Sequence, residues 1–225
     1  MSLLAPDPVA VVDLDDDARR IAHMAASVLL DYPVEEEAVT RLEVVADAVA
    51  SLPAPVAAAF QRFLAAALEM GPRALAEHYI ETFDRRRRCS LYLSYYDAGD
   101  TRKRGGAILA FQDALTALGW ELDRRELPDY LPVVLELSAR SDDSLPGELL
   151  AAHRDGLEVI RTALAQVASP YESILEAVCM TLPPIDDETR QRYVSLVTQG
   201  PPAELVGIVD TMPFPQTGAA KEARP

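Results

Sequence analysis

Pro55-Val56-Ala57-Ala58-Ala59-Phe60-Gln61-Arg62-Phe63-Leu64-Ala65-Ala66-Ala67-Leu68-Glu69-Met70-Gly71-Pro72 is the stretch that decides the fold class. Val56, Ala59, Phe60, Phe63, Leu64 and Ala67 recur at the three- and four-residue spacing of one helix face, and Gly71-Pro72 stops the run. Toward the amino terminus the same period returns in Leu42, Val45, Ala46 and Val49, ended by Pro53. It returns again in Ile21, Met24, Ala25, Val28 and Leu29, ended by Tyr32-Pro33. Toward the carboxyl terminus a helix from Pro72 carries Leu75, Tyr79 and Phe83. Asp100 is placed to cap the next one, which turns Ile108, Phe111, Leu115 and Leu118 inward before Gly119.

The second half reads alike. Leu131, Val134, Leu135 and Ser138 form a short helix after Pro128, and one long helix runs from Leu149 through His153, Leu157 and Ile160 to Leu164. Ser169-Pro170-Tyr171-Glu172 has the form of a capping box with proline at the first helical position, opening a helix that buries Ile174, Leu175 and Val178. Arg190 to Thr198 and Ala203 to Val209 are two last short helices. No alternating strand pair with a hairpin turn occurs. The expectation is an all-α, single-domain bundle of roughly ten helices. Residues 1–12 are expected to be a flexible amino terminus, 13–210 the helical domain and 211–225 a disordered, proline-rich tail. Ser138 to Pro146 is the clearest interior linker, read as a loop or a hinge.

With 225 residues, 49% of them hydrophobic, the chain is long and apolar enough to bury a full core. A net charge of −15 argues against nucleic acid and against anionic membrane surfaces as partners, and favours a basic protein or peptide. Two distant cysteines, Cys89 and Cys179, make neither a disulfide framework nor a zinc site. The amino terminus lacks the charged start and apolar core of a signal peptide, and no run of 18 apolar residues occurs, so a cytoplasmic protein without membrane insertion is expected.

Enzyme signatures are missing. His23, His78 and His153 stand apart, with no H-E-x-x-H and no glutamate three residues before any of them. His78 between Glu77 and Glu81 reads as a surface histidine. No phosphate loop, dinucleotide fingerprint or nucleophile elbow is present. Cys89 follows four arginines, which favour a thiolate, but a cysteine entering an apolar run is ordinarily buried and inert. No catalytic residue, metal site or permanently bound cofactor is therefore expected.

The charge balance inverts between Arg85 and Arg104, where seven basic residues face only Asp97 and Asp100. Most of these arginines are expected to pair with carboxylates of the body. The other reading is an anion site at the helix start Asp100, Thr101, Arg102 and Arg104. In the same stretch Leu91-Tyr92-Leu93-Ser94-Tyr95-Tyr96, read as helix, puts Tyr92, Tyr95 and Tyr96 on one face. That is either a buried central helix or a tyrosine-lined groove for an apolar ligand or helix.

The run Glu81 to Tyr96, with its continuation Gly99-Asp100-Thr101-Arg102-Lys103-Arg104-Gly105, resembles the signature of the NarJ-type nitrate reductase molybdenum-cofactor assembly chaperones. Glu126-Leu127-Pro128-Asp129-Tyr130-Leu131 followed by Val133-Val134-Leu135-Glu136 looks like that family's second block. The resemblance implies a single all-α domain and a cytoplasmic chaperone rather than an enzyme. Such a chaperone binds the amino-terminal segment of the nitrate reductase catalytic subunit until the molybdenum cofactor is inserted, and delays membrane docking. It implies partner-binding residues among Phe83, Asp84, Arg87, Arg88, Leu91, Tyr92, Tyr95, Tyr96, Pro128, Asp129 and Tyr130. A transient contact with the cofactor falls on Asp100, Thr101, Arg102 and Arg104. Wider family members often carry histidine where this chain has Tyr130, and Pro128-Asp129 equally suits a helix start. The alternative class is a helical protein that binds or hydrolyses a nucleotide-like, phosphate-bearing ligand at the Arg102/Arg104 helix start.

Overall fold

A computed structural model describes residues 6–122, 126–184, 186–199 and 201–202. The expected helix at Ala203 to Val209 and the tail 211–225 lie outside the described residues. The chain is all-α: α1 (Asp16–Leu30), α2 (Glu35–Val49), α3 (Ala54–Met70), α4 (Pro72–Tyr79), α5 (Ser94–Ala98), α6 (Lys103–Ala117), α7 (Leu131–Arg140), α8 (Leu145–Ala152), α9 (Arg154–Gln166), α10 (Glu172–Thr181) and α11 (Asp187–Gln199). A π turn at Ile80–Asp84 and a 3-10 turn at Arg87–Cys89 connect α4 to α5.

The deciding stretch becomes α3, whose Val56, Ala59, Phe60, Phe63, Leu64 and Ala67 are all buried. Each fully buried phenylalanine contributes roughly 1.5–3 kcal/mol. α1 packs most extensively on α7, because Ala22, Ala25 and Ala26 let the backbones approach, and α10 fills the space between α1, α3 and α9. His23 bridges three helices from the core, its Nδ1 2.9 Å from Ser138 Oγ and its Nε2 2.8 Å from Thr181 Oγ1. Burial, with the Arg19 charge nearby, pushes the His23 imidazole down to about 3, so it is neutral.

Several local readings are corrected. The segment 91–96 is not one helix, because Leu131 N–H donates to the Leu91 carbonyl at 2.8 Å and Leu93 N–H to the Asp129 carbonyl at 2.9 Å. These backbone groups serve an antiparallel bridge between Tyr92 and Tyr130, and α5 starts only at Ser94. The long helix of the second half breaks at His153 (φ −102°, ψ 19°), where the ring bonds the Leu149 carbonyl and pairs with Asp97 at 3.0 Å. The capping box at Ser169 does not close: Ser169 Oγ lies 2.8 Å from His78 Nε2, while Glu172 pairs with Arg161. His78 is accordingly half-buried rather than a surface residue, stacked on Tyr171. On α6 only Phe111 and Leu115 are buried, whereas Ile108 and Leu118 are half-exposed.

The first described residues run extended across α9 and α10. Val9 N–H donates to Glu158 Oε1 and Val12 N–H to the Met180 carbonyl, both at 2.9 Å. Arg154, itself 1% exposed, donates to the carbonyls of Val9, Leu182 and Pro183. Glu158, fully buried, accepts from Arg161 at 2.8 Å, and Asp155 from Arg192 of α11 at 2.9 Å. Periodicity carries no sign of this network, because its acceptors are mostly backbone groups distant in sequence.

Candidate functional site

Two regions compete for the site: the signature block, and a cleft beside it. The block is held together from inside. Asp129 is fully buried, and its Oδ2 accepts from Ser94 N–H at 3.2 Å and from Ser94 Oγ. The aspartate thus caps α5 from across the bridge, not the start of α7, satisfying an N–H that a helix terminus otherwise leaves open. Its other carboxylate oxygen has no hydrogen-bond partner among the described residues. Pro128 is buried beside it.

The aromatic residues of the block are engaged as well. Tyr96, 2% exposed, donates to the carbonyls of Ser90 (2.9 Å) and Arg88 (3.1 Å), and its ring lies where a Cβ on Gly156 of α9 would come within 3.1 Å. Tyr95 packs edge-on against Tyr96, and Leu91 is buried. Tyr92 is half-buried, its ring 5.3 Å from that of Tyr130 and its hydroxyl 3.1 Å from Glu126 Oε2. Burial and the Glu126 charge push that phenol up to about 12. Phe83 packs on Tyr79 and Tyr171 at 4.7 and 4.9 Å. Tyr130 hydrogen-bonds the Tyr79 hydroxyl at 2.8 Å, and Tyr79 donates on to the Leu30 carbonyl at 3.0 Å.

The basic stretch is arranged differently from its expectation. Asp84 and Arg85 to Arg88 are exposed. Arg87 pairs with Asp100 at 3.0 Å, whereas Arg85 and Arg86 have no ion pair among the described residues. Pairing with the body therefore fails for these two, because no carboxylate of the helices behind the turn reaches them. Asp100 does not cap α6, which begins at Lys103. Thr101 Oγ1 instead accepts from Lys103 N–H at 3.3 Å, and Asp100 takes both Arg87 and Arg104. Arg104 lies over the rings of Tyr92 and Tyr95 at 5.7 and 5.9 Å, and Arg102 is exposed. Gly99 adopts φ +56°, with the Pro202 carbonyl where a side chain would stand, so only glycine fits there. Cys89 is 1% exposed, and burial pushes its thiol up to about 11 despite Arg86, which removes it as a nucleophile. Among the described residues no cluster of histidine, cysteine, aspartate and glutamate is placed to hold a metal.

The cleft, of 580 Å³, opens between α1, α7 and the segment after α6. Met24 and Val28 of α1, Val133 and Leu137 of α7, and Leu115 and Trp120 give it apolar walls. Asp31, Glu121 and Glu136 stand among its polar groups. The two guanidinium groups among its described lining residues are each held by a carboxylate: Arg41 by Glu37 at 2.6 Å and Arg140 by Glu136 at 2.7 Å, with Arg140 also 4.8 Å over the Trp120 ring. Among the described residues that line it, the cleft thus carries no uncompensated cation. Of the partner-binding residues that the resemblance implies, Tyr130 lines it, joined by Val133 and Glu136 of the second block. Trp120 and the α1 residues were missed in the sequence, where Ile21, Met24 and Val28 read simply as core. No signal in the α1 pattern could have marked them, since an open apolar stripe and a covered one have the same period.

The sequence model of the family described as nitrate reductase delta subunit matches residues 49–174, more than half of the chain. Among curated proteins, the chain is 37% identical over 161 residues to the nitrate reductase-like protein NarX of Mycobacterium tuberculosis, covering 72% of this chain and 24% of NarX. It is 27% identical over 164 residues to the probable nitrate reductase molybdenum cofactor assembly chaperone NarJ of Bacillus subtilis, covering 73% of this chain and 89% of that protein. It is 33% identical over 126 residues to the nitrate reductase molybdenum cofactor assembly chaperone NarJ of Escherichia coli, covering 56% and 53%. The matched part is thus about a quarter of NarX and about half of the Escherichia coli protein.

Proposed function

This chain belongs to the nitrate reductase delta subunit family, and from that premise we propose that it is a cytoplasmic assembly chaperone for a respiratory nitrate reductase, not an enzyme. It holds the amino-terminal segment of the catalytic subunit in the cleft until the molybdenum cofactor has been inserted, and so delays docking on the membrane anchor. Two relatives named as molybdenum cofactor assembly chaperones support the role. Among the described residues no helix is long and apolar enough to cross a membrane.

The observation that carries the reading is the cleft itself. Its apolar walls suit the apolar face of an amphipathic helix, and a body at −15 attracts a basic one. Tyr130, fixed through Tyr79 to the Leu30 carbonyl, forms a rigid wall where the signature block meets the cleft. Phe83, Leu91, Tyr92, Tyr95, Tyr96, Pro128 and Asp129 act behind that wall as its support. Asp84, Arg87 and Arg88 remain on the exposed turn for the folded part of the client. Asp100, Thr101, Arg102 and Arg104 would meet the cofactor's phosphate only in passing, since Asp100 already balances Arg87 and Arg104.

Calorimetry against a synthetic peptide of the catalytic subunit's first residues, from the same organism, tests this. Binding near micromolar, about −8 kcal/mol, that weakens as salt rises is the expected result. No binding at any salt concentration would overturn the reading.

A further inference from the structure

Among the described residues, nothing covers part of the apolar surface of α1. Ala22, Ala25, Ala26, Leu29 and Leu30 are buried against the body, but Ile21, Met24 and Val28 are only half-buried. These three line a trough of 320 Å³ with Val44, Val45 and Ala48 of α2. Val44 is 63% exposed. The spacing of the lining residues is three or four on both helices, so the trough runs along the two axes for about 10 Å, or two helical turns. It is a seat for a third helix packed against α1 and α2.

The trough is continuous with the cleft, since Met24, Val28 and Arg41 line both. Arg41, turned back onto Glu37, stands at the junction without presenting an open positive charge. Residues 13–50, which carry this wall, hold ten acidic and three basic residues, so the surroundings favour a basic helix. They also lie almost wholly before residue 49, where the family match begins.

Resting on the function proposed above, we infer that the α1–α2 trough is a second section of the client groove. It takes the continuation of the same basic amphipathic helix, so that α1 and α2 select a client by the length of its apolar stripe. The cleft holds one end of that helix and the trough the next two turns. A client whose stripe ends early leaves Val44 in water and binds more weakly.

The test uses the full chain, a long client peptide and one shortened by the two turns assigned to the trough. The long peptide is expected to bind the wild-type chain about tenfold more tightly, and Val44→Gln to remove that advantage while leaving the short peptide unchanged. Val39→Gln, on α2 but outside the trough, is the control and changes neither. Equal affinities for both peptides, with Val44→Gln silent, would overturn this inference and leave the proposed function standing. Failure of both peptides to bind the wild-type chain would overturn both. A sedimentation shift from dimer to monomer on Val44→Gln, with peptide affinity unchanged, would assign the trough to a second copy and overturn it as well.

Discussion

The signature block and the α1–α2 hairpin divide their labour in opposite ways. The block is dense in recognisable residues, yet Leu91, Tyr95, Tyr96 and Asp129 are buried, with Tyr96 donating to the Arg88 and Ser90 carbonyls and Asp129 accepting from Ser94. The hairpin carries no motif, yet it offers Met24, Val28 and Val44 as open apolar surface. A motif whose backbone groups are tied to specific acceptors serves as scaffold, and the function proposed above puts the partner surface on less constrained helices. Polar satisfaction is position-specific to the atom, whereas an apolar trough tolerates any side chain of fitting shape.

The largest effect belongs to the block's joint. Asp129→Ala leaves Ser94 N–H and its hydroxyl without an acceptor in a buried site, and about 3 kcal/mol of stability should be lost in urea unfolding. Asp129→Asn keeps an acceptor and should lose under half as much. If both variants unfold at the wild-type midpoint, the block is not scaffold and the contrast with the hairpin collapses.

A pH titration sharpens the same contrast at the α1–α7–α10 junction. His23 is held neutral by burial, its folded value about 3 against an ordinary 6.5. The unfolded chain therefore binds the extra proton first. The stability tied to neutral His23 is complete above 6.5 and is lost as pH falls from there toward 3. Between pH 6.5 and 5 this amounts to about 2 kcal/mol. The same interval in His23→Gln should lack that part of the slope. His153 acts in the opposite sense: burial opposes its charge, but its bonds to Asp97 and the Leu149 carbonyl outweigh that and raise it. Its contribution is present below 6.5 and lost as pH rises through the raised value. A wild-type profile with the same acid slope as His23→Gln would place the proton elsewhere.

The helices were legible where periodicity decides, as in α3 and α7. Legibility failed where a single long-range bond overrides the local pattern. Asp129 ends the helical reading of 91–96 from 35 residues away, and Ser169 forgoes its cap for His78. For the candidate site, Tyr130 could be named in advance, because it sits in a quotable motif. Trp120 could not, since one aromatic after a glycine says nothing about what it faces. The trough was hidden for the converse reason: an uncovered apolar stripe and a buried one read alike until the neighbours are placed.

A smaller effect is expected at the wall between the two regions. Tyr130→Phe keeps the ring that lines the cleft and removes its hydroxyl bond to Tyr79, about 1 kcal/mol of stability. Thermal unfolding would show that loss, while peptide affinity should hold, because only the rigid backing changes. A large loss of affinity at unchanged stability would instead make the hydroxyl a client contact.

The smallest effect falls on the exposed turn, and it decides the comparison most directly. Arg85 and Arg86 belong to the signature yet are exposed, make no ion pair among the described residues and line neither the cleft nor the trough. Surface substitutions of this kind ordinarily shift stability by less than about 0.5 kcal/mol. At physiological ionic strength their charge is screened within roughly 8 Å. The double variant Arg85→Glu, Arg86→Glu should therefore unfold at the wild-type midpoint and bind the client peptide within about twofold of wild type. If it instead weakened the long peptide as strongly as Val44→Gln, the signature block would be a contact surface in its own right. The division between a bonded scaffold and an open apolar hairpin would then be wrong.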